Sequence, residues 1–170
     1  MKKVALIYSF NSTKTAKIAE RITTEWGSDE LEPLNAETLD EKSFLSYDNF
    51  ILGVPTWFDG ELPNYWDEFG PALEDMDLKG KKFAIYGLGD QVNYAENFLD
   101  AVGIMSELLE SRGAAIIGAT STEGYTFEHS RAVRDHHFAG LAIDFENQPA
   151  LSADRVKNWV KQLKSEFAGK

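Results

Sequence analysis

Hydroxyl and amide side chains crowd one short segment, Ser9-Phe10-Asn11-Ser12-Thr13-Lys14-Thr15. It follows an apolar strand and opens a helix, where backbone N–H groups lie free and the helix dipole favours an anion. The three hydroxyls of Ser12, Thr13 and Thr15, the Asn11 amide and those N–H groups suffice for one terminal phosphate. The segment holds no glycine, so it is not the nucleotide-hydrolase phosphate loop, which needs two glycines and a Lys-Ser/Thr pair. The same residues would also serve as an ordinary helix cap. Lys14 is either a phosphate ligand or a solvent-facing charge.

Two further segments invite the same question. Pro55-Thr56-Trp57-Phe58-Asp59-Gly60 ends a strand-like apolar run. A Trp in that place either turns into the core or covers a flat ring from an exposed loop, and Asp59-Gly60-Glu61, which reads as a turn, favours the loop. Gly60 would let the neighbouring peptides take conformations closed to other residues. Gly87-Leu88-Gly89-Asp90-Gln91-Val92-Asn93-Tyr94 follows the next strand. Gly87 and Gly89 would let the backbone approach a ligand, Asp90 and Asn93 could hydrogen-bond it, and Tyr94 offers a second aromatic face; a tight turn is the simpler alternative.

These segments depend on the elements before them. Strands and helices alternate from end to end, which predicts a parallel sheet covered on both faces. Strands are expected over about 3–9, 31–34, 49–54 and 82–86, the third almost wholly apolar as a central parallel strand should be. Helix one (about 13–26) would bury Ala16, Ala19, Ile22 and Trp26; helix three (about 63–74) would carry Pro63 in its first turn. Helix four presents Phe98, Ala101, Val102, Met105, Leu108 and Leu109 and stops at Gly113, while the last helix starts after a Ser152 cap with Asp154 in its first turn. The stretch 35–47 is acidic and weakly patterned. Strand five begins at Ala114, and a second apolar run, Phe138–Ile143, lies beyond about 20 polar residues, 118–137, which split the strand. No repeat or linker divides the chain, so residues 1–170 are expected to form one domain. In such sheets ligands sit beyond the carboxyl ends of the strands. A phosphate turn after strand one with aromatics after strands three and four fits a tricyclic ring bearing a phosphorylated tail, flavin mononucleotide (FMN).

Composition narrows the class. The net charge is −11, from 28 acidic against 17 basic residues. Such a surface repels nucleic acid and anionic lipid, and steers the protein toward basic partners or simply keeps it soluble. With no cysteine, disulfides, thiolate metal sites and cysteine nucleophiles are excluded. His136-His137 is read as solvated surface, so no metal is expected. The Met1-Lys2-Lys3 start leads directly into a strand-length run with no signal-peptide core, and nothing approaches the ~20 apolar residues of a membrane span. A cytoplasmic location is expected. A receiver domain would need an acidic pair after strand one and an Asp ending strand three; Ser9-Phe10 and Pro55-Thr56 occupy those places.

The chain resembles the long-chain flavodoxins over essentially its whole length. The resemblance rests on Pro55-Thr56-Trp57 with Gly60-Glu61-Leu62, and on Gly89-Asp90-Gln91 with Tyr94-Ala95-Glu96-Asn97-Phe98. Gly124-Tyr125-Thr126-Phe127 and Gly140-Leu141-Ala142-Ile143-Asp144 with Asn147-Gln148 extend it. It implies a doubly wound five-stranded parallel sheet of order 2-1-3-4-5, its fifth strand split at about 118–137, in a monomer. It implies FMN held by residues 9–15, by Pro55, Thr56, Trp57, Phe58, Asp59 and Gly60, and by Leu88, Gly89, Asp90, Asn93, Tyr94, Asn97, Phe98 and Asp144. Trp57 and Tyr94 would flank the ring, and the 58–59 peptide would turn over on one-electron reduction, favouring the neutral semiquinone. Phe10, Thr13, Phe58 and Leu88 depart from the usual family residues, leaving Ser12 and Thr15 as the matching phosphate-loop hydroxyls.

The implied function is low-potential one-electron transfer, between semiquinone and hydroquinone, with no catalysis of its own. Asp59, Glu61, Asp67 and Asp90 would disfavour the anionic reduced ring; a carboxylate ~10 Å away costs roughly 0.8–1.7 kcal/mol, or about 35–70 mV. Partners would be redox proteins with basic docking surfaces: a ferredoxin/flavodoxin-NADP reductase-like donor and low-potential acceptor enzymes. The inserted segment, with Tyr125, Phe127 and Arg131, would either recognise partners or brace the sheet edge. A quinone or FMN reductase of the same fold is the alternative, and aromatics on both ring faces argue against its substrate pocket.

Overall fold

The computed structural model describes residues 3–169; the Met1-Lys2 pair that begins the segment read for targeting lies outside them. Five parallel positions build the main sheet. β1 (Val4–Tyr8), β3 (Asn49–Gly53) and β4 (Lys82–Leu88) are its centre, and their near-continuous apolar runs suit strands covered on both faces. β2 (Leu31–Asn35) is an edge, where Pro33 has no ladder hydrogen bond to donate on its open side. The order is β2-β1-β3-β4-β5, all parallel, as the resemblance implied.

The fifth position is shared by two strands. β5 (Ala115–Ile117) pairs with Lys82–Ala84 of β4. Residues 118–137 then leave the sheet, carrying β6 (Thr120–Ser121), β7 (Val133–Arg134) and the start of β8 (His137–Phe138), which together make a small antiparallel sheet of order β6-β8-β7. β9 (Leu141–Ile143) returns beside Tyr86–Leu88.

Helices cover both faces. α1 (Lys14–Trp26) and α5 (Ser152–Phe167) pack Trp26, Trp159 and Leu163 onto one side. On the other side α3 (Asn64–Glu74) and α4 (Asp100–Ser111) cover Phe50 and Phe83, whose rings stack at 4.3 Å and 7°. The buried indole of Trp66 donates to the Gly53 carbonyl at 3.0 Å, fixing α3 under the end of β3.

Several local expectations change. The buried stripe of α1 is Thr15, Ile18, Ala19, Ile22 and Trp26; Ala16 is only half-buried. Pro63 is the N-cap of α3 rather than a first-turn residue. β4 runs on through Gly87 and Leu88, because β9 supplies the pairing that prolongs it. Phe98 precedes α4, whose C-cap is Arg112 with Gly113 following at φ 94°. The acidic stretch holds a short helix, α2 (Glu41–Leu45), begun by Asp40, whose carboxylate accepts from the Ser43 N–H at 2.8 Å. Ser152 is the first residue of α5, not its cap, and its buried hydroxyl has no partner among the described residues.

Candidate functional site

The carboxyl ends of β1, β3, β4 and β9 meet at one rim of the sheet, and a trough opens there. It consists of two adjoining hollows of about 330 and 300 Å³ that share Thr56, Gly89, Asp90 and Tyr94. Trp57, Phe58, Asn97 and Phe98 complete the first hollow. Lys14, Thr15, Pro55, Leu88, Phe145 and Glu146 complete the second.

The end nearest α1 is rich in donors. Ser12 braces the turn: its N–H and Oγ both donate to the Ser9 carbonyl, and its Oγ accepts from the Ala16 N–H at 3.1 Å. Ser12 satisfies the Ala16 N–H, whereas the N–H groups of Thr13, Lys14 and Thr15, in the first turn of the helix, have no partner among the described residues. Unused N–H groups at a helix start are what an anion requires. Thr15 is buried there, and its carbonyl accepts from the Tyr86 hydroxyl at 2.9 Å. Lys14 forms an ion pair with Glu146 across the second hollow.

One wall is a tight bend. The N–H and C=O of Trp57 bond those of Glu61 at 2.8 and 2.7 Å, closing Phe58-Asp59-Gly60 into a turn. Tyr65 meets the Trp57 indole edge-to-face at 5.9 Å, so the ring is held yet stays partly open to solvent. Phe58 lies 73% exposed at φ 48°, a left-handed conformation costing a non-glycine residue roughly 1–3 kcal/mol. Gly60, at φ 95°, has no room for a Cβ, which would lie 2.6 Å from Asp100 Oδ2.

The opposite wall hangs on Asp90. Its carboxylate accepts from the Val92 and Asn93 N–H groups and from the Asn93 and Asn147 amides, at 2.7 to 3.0 Å. Burial opposes the charge, but these donors, led by the Asn93 N–H and the Asn147 amide, outweigh it and hold the carboxyl down at about 2. Tyr94 rides on this loop, 55% exposed, with its N–H on the Asp90 carbonyl.

Of the residues expected to bind the ligand, Lys14, Thr15, Pro55, Thr56, Trp57, Phe58, Leu88, Gly89, Asp90, Tyr94, Asn97 and Phe98 gather around the trough. Ser9, Ser12 and Thr13 lie just behind, shaping the donor turn. Phe10 and Asn11 turn away: the Phe10 ring lies against Tyr8 at 5.0 Å, and the Asn11 amide donates to Glu37 at 2.6 Å. Asp59 and Gly60 support the bend, and Asn93 spends its amide on Asp90. Asp144 is the clearest departure. It is fully buried and accepts five hydrogen bonds, from Gln91 N–H and amide, Glu146 N–H, and Asn147 N–H and amide, so it ties two loops together from behind the trough.

Phe145 and Glu146 were missed. They follow directly on β9, so the rule that ligands sit beyond strand ends would have found them once Leu141–Ile143 was recognised as a separate strand. The His136-His137 pair lies exposed in the inserted segment, and no group of three or more metal-ligating side chains occurs among the described residues.

Three comparisons bear on this geometry. The sequence profile of the flavodoxin family matches residues 6–159. A flavodoxin of Synechococcus elongatus is 44% identical over 168 residues, spanning 98% of this chain and 99% of its own length. Flavodoxin 1 of Escherichia coli is 41% identical over 163 residues, covering 95% of this chain and 93% of its own. Among solved structures, Fusobacterium nucleatum flavodoxin bound to flavin mononucleotide superposes with a TM-score of 0.92 at 30% identity, covering 98% of this chain and 99% of that one.

Proposed function

The chain belongs to the flavodoxin family, and from that premise we propose that it binds FMN in the trough and carries single electrons between other redox proteins. When bound, FMN supplies a ring able to accept and release electrons one at a time. The protein is an electron-transfer protein rather than an enzyme.

The observation that carries the reading is the pairing of a donor-rich helix start, its Lys14 charge already paired with Glu146, with two partly exposed aromatic walls around one trough. The N–H groups of Thr13, Lys14 and Thr15, aided by the α1 dipole, bind the terminal phosphate. Trp57 and Tyr94, both on the wall of the first hollow, sandwich the ring. Their stacking also keeps water from the ring faces. Ser12 and Asp90 act one step back, the first shaping the donor turn and the second holding the Tyr94 loop.

Carboxylates at Asp59, Glu61 and Asp90 make the trough rim anionic, so negative charge added to the ring is disfavoured and the carrier becomes a stronger reductant. The same acidity, with a net charge of −11, favours partners whose docking surfaces are basic. Among the described residues no helix is long and apolar enough to cross a membrane.

The test is a fluorescence titration of cofactor-free protein with FMN. Tight quenching is expected, with affinity falling roughly 5- to 150-fold in Trp57→Ala and in Tyr94→Ala, the equivalent of ~1–3 kcal/mol for one aromatic stack. Unchanged affinity in both variants would refute the sandwich.

A further inference from the structure

Asp100, the first residue of α4, is 4% exposed and has no cation beside it among the described residues. Its two oxygens point to different segments. Oδ1 accepts from the Arg131 N–H at 2.8 Å, and Oδ2 accepts from the Asn97 amide at 3.2 Å. That amide also donates to the Asp59 carbonyl at 3.2 Å. Gly60 lies so close to Oδ2 that no side chain fits between them. Beyond its own Trp57–Glu61 pair, the bend at 58–60 is thus tied to α4 by one buried carboxylate through one amide.

The bend needs such a support. Phe58 stands in a left-handed conformation that persists only where its surroundings enforce it, and its own side chain, mostly in solvent, enforces nothing. The relay is directional. A carboxylate only accepts, so Asn97 must turn its NH₂ toward Asp100, and the second hydrogen of that NH₂ then reaches the Asp59 carbonyl.

We propose that Asp100 is a positioning residue: through Asn97 it fixes the Phe58–Asp59 peptide and, with it, the Trp57 wall of the trough. This deepens the electron-carrier reading and rests on it. Asp100→Asn keeps the volume and breaks the relay. With the new side-chain oxygen kept on the Arg131 N–H, its NH₂ faces the Asn97 NH₂, donor against donor. Asn97 must then rotate, which turns its oxygen toward the Asp59 carbonyl.

The experiment has two arms. In cofactor-free protein, hydrogen exchange at the Trp57 and Glu61 amides should run about fivefold faster in Asp100→Asn and in Asn97→Ala, the worth of one hydrogen bond. In the double variant it should run no faster than in the faster single, because both substitutions cut one chain of bonds. In FMN-loaded protein the first and second one-electron potentials should shift by unequal amounts both in Asp100→Asn and in Asn97→Ala, which leaves the Asp100 charge in place, since a bend free to rearrange answers each added charge differently. Unchanged exchange at 57 and 61, additive effects, or fixed potentials despite lowered stability would each overturn the proposal and leave Asp100 as an anchor for the Arg131 backbone alone. Failure of the unaltered protein to bind FMN would instead overturn the electron-carrier reading, and the exchange arm would still decide the relay.

Discussion

Replacing Asp144 by Asn separates two roles for a residue that sequence reasoning placed on the cofactor. The carboxylate is fully buried and serves five donors, three on Oδ2 (Gln91 N–H and amide, Asn147 amide) and two on Oδ1 (the Glu146 and Asn147 N–H groups). Asn keeps one acceptor. With its oxygen on the more buried Gln91 side, its NH₂ confronts the Glu146 and Asn147 N–H groups, and neither of these has another partner. At ~1–3 kcal/mol per stranded group, relieved in part by solvent near Glu146, the loss is about 2–4 kcal/mol. For a domain of this size that lowers Tm by roughly 5–15 °C. Thermal unfolding of the cofactor-free protein, followed by circular dichroism, reads this directly. FMN affinity should fall by no more than about tenfold, since Asp144 lines neither hollow and acts only through the loops it joins. An unchanged Tm together with abolished FMN binding would refute the reasoning and put the carboxylate on the ligand.

Two further outcomes follow from individual residues. Asp90 is held at about 2 in the folded protein against an ordinary 3.8, a lowered value, so its contribution to stability is present in full above about 3.8 and is lost as pH falls through about 2. Urea unfolding between pH 5 and pH 2 should therefore show a steeper loss for the unaltered protein than for Asp90→Asn, and parallel curves would contradict the hydrogen-bond account. At the β7–β8 hairpin, Asp135 and His136 occupy a two-residue turn at φ 49° and 64°, a geometry that favours Asn-Gly. His136→Gly should raise stability by about 1 kcal/mol, roughly 2–4 °C in Tm, and no gain would mean the turn is unstrained.

What could be read from the sequence depended on whether a residue's surroundings lay in its own segment. Strand ends are local, so Thr15, Trp57 and Tyr94 were legible as residues at the rim of the sheet, and the apolar runs at 49–54 and 82–86 announced central strands. The cap of α2 was also legible in principle, since Asp40 bonds the N–H of Ser43 only three residues on. Side-chain direction was not legible where a distant partner decides it. Asn11 turns toward Glu37 and the Phe10 N–H toward Asn35, both on the β2 side of the sheet. Asp144 follows a strand like a ligand residue, but Gln91, 53 positions earlier in the chain, draws it inward. The 118–137 excursion was visible in composition, yet the separate pairing of β9 with Tyr86–Leu88 was not, which concealed both the full length of β4 and the place of Phe145 and Glu146 at the trough.

The central claim is that this trough makes FMN a carrier of single electrons. Stepwise anaerobic reduction of the FMN-loaded protein, with the potential of each step recorded, tests it most directly. The account predicts two resolved one-electron steps, the second at low potential, and no oxidation of NADPH without a separate reductase. A single two-electron step accompanied by NADPH turnover by the protein alone would contradict it.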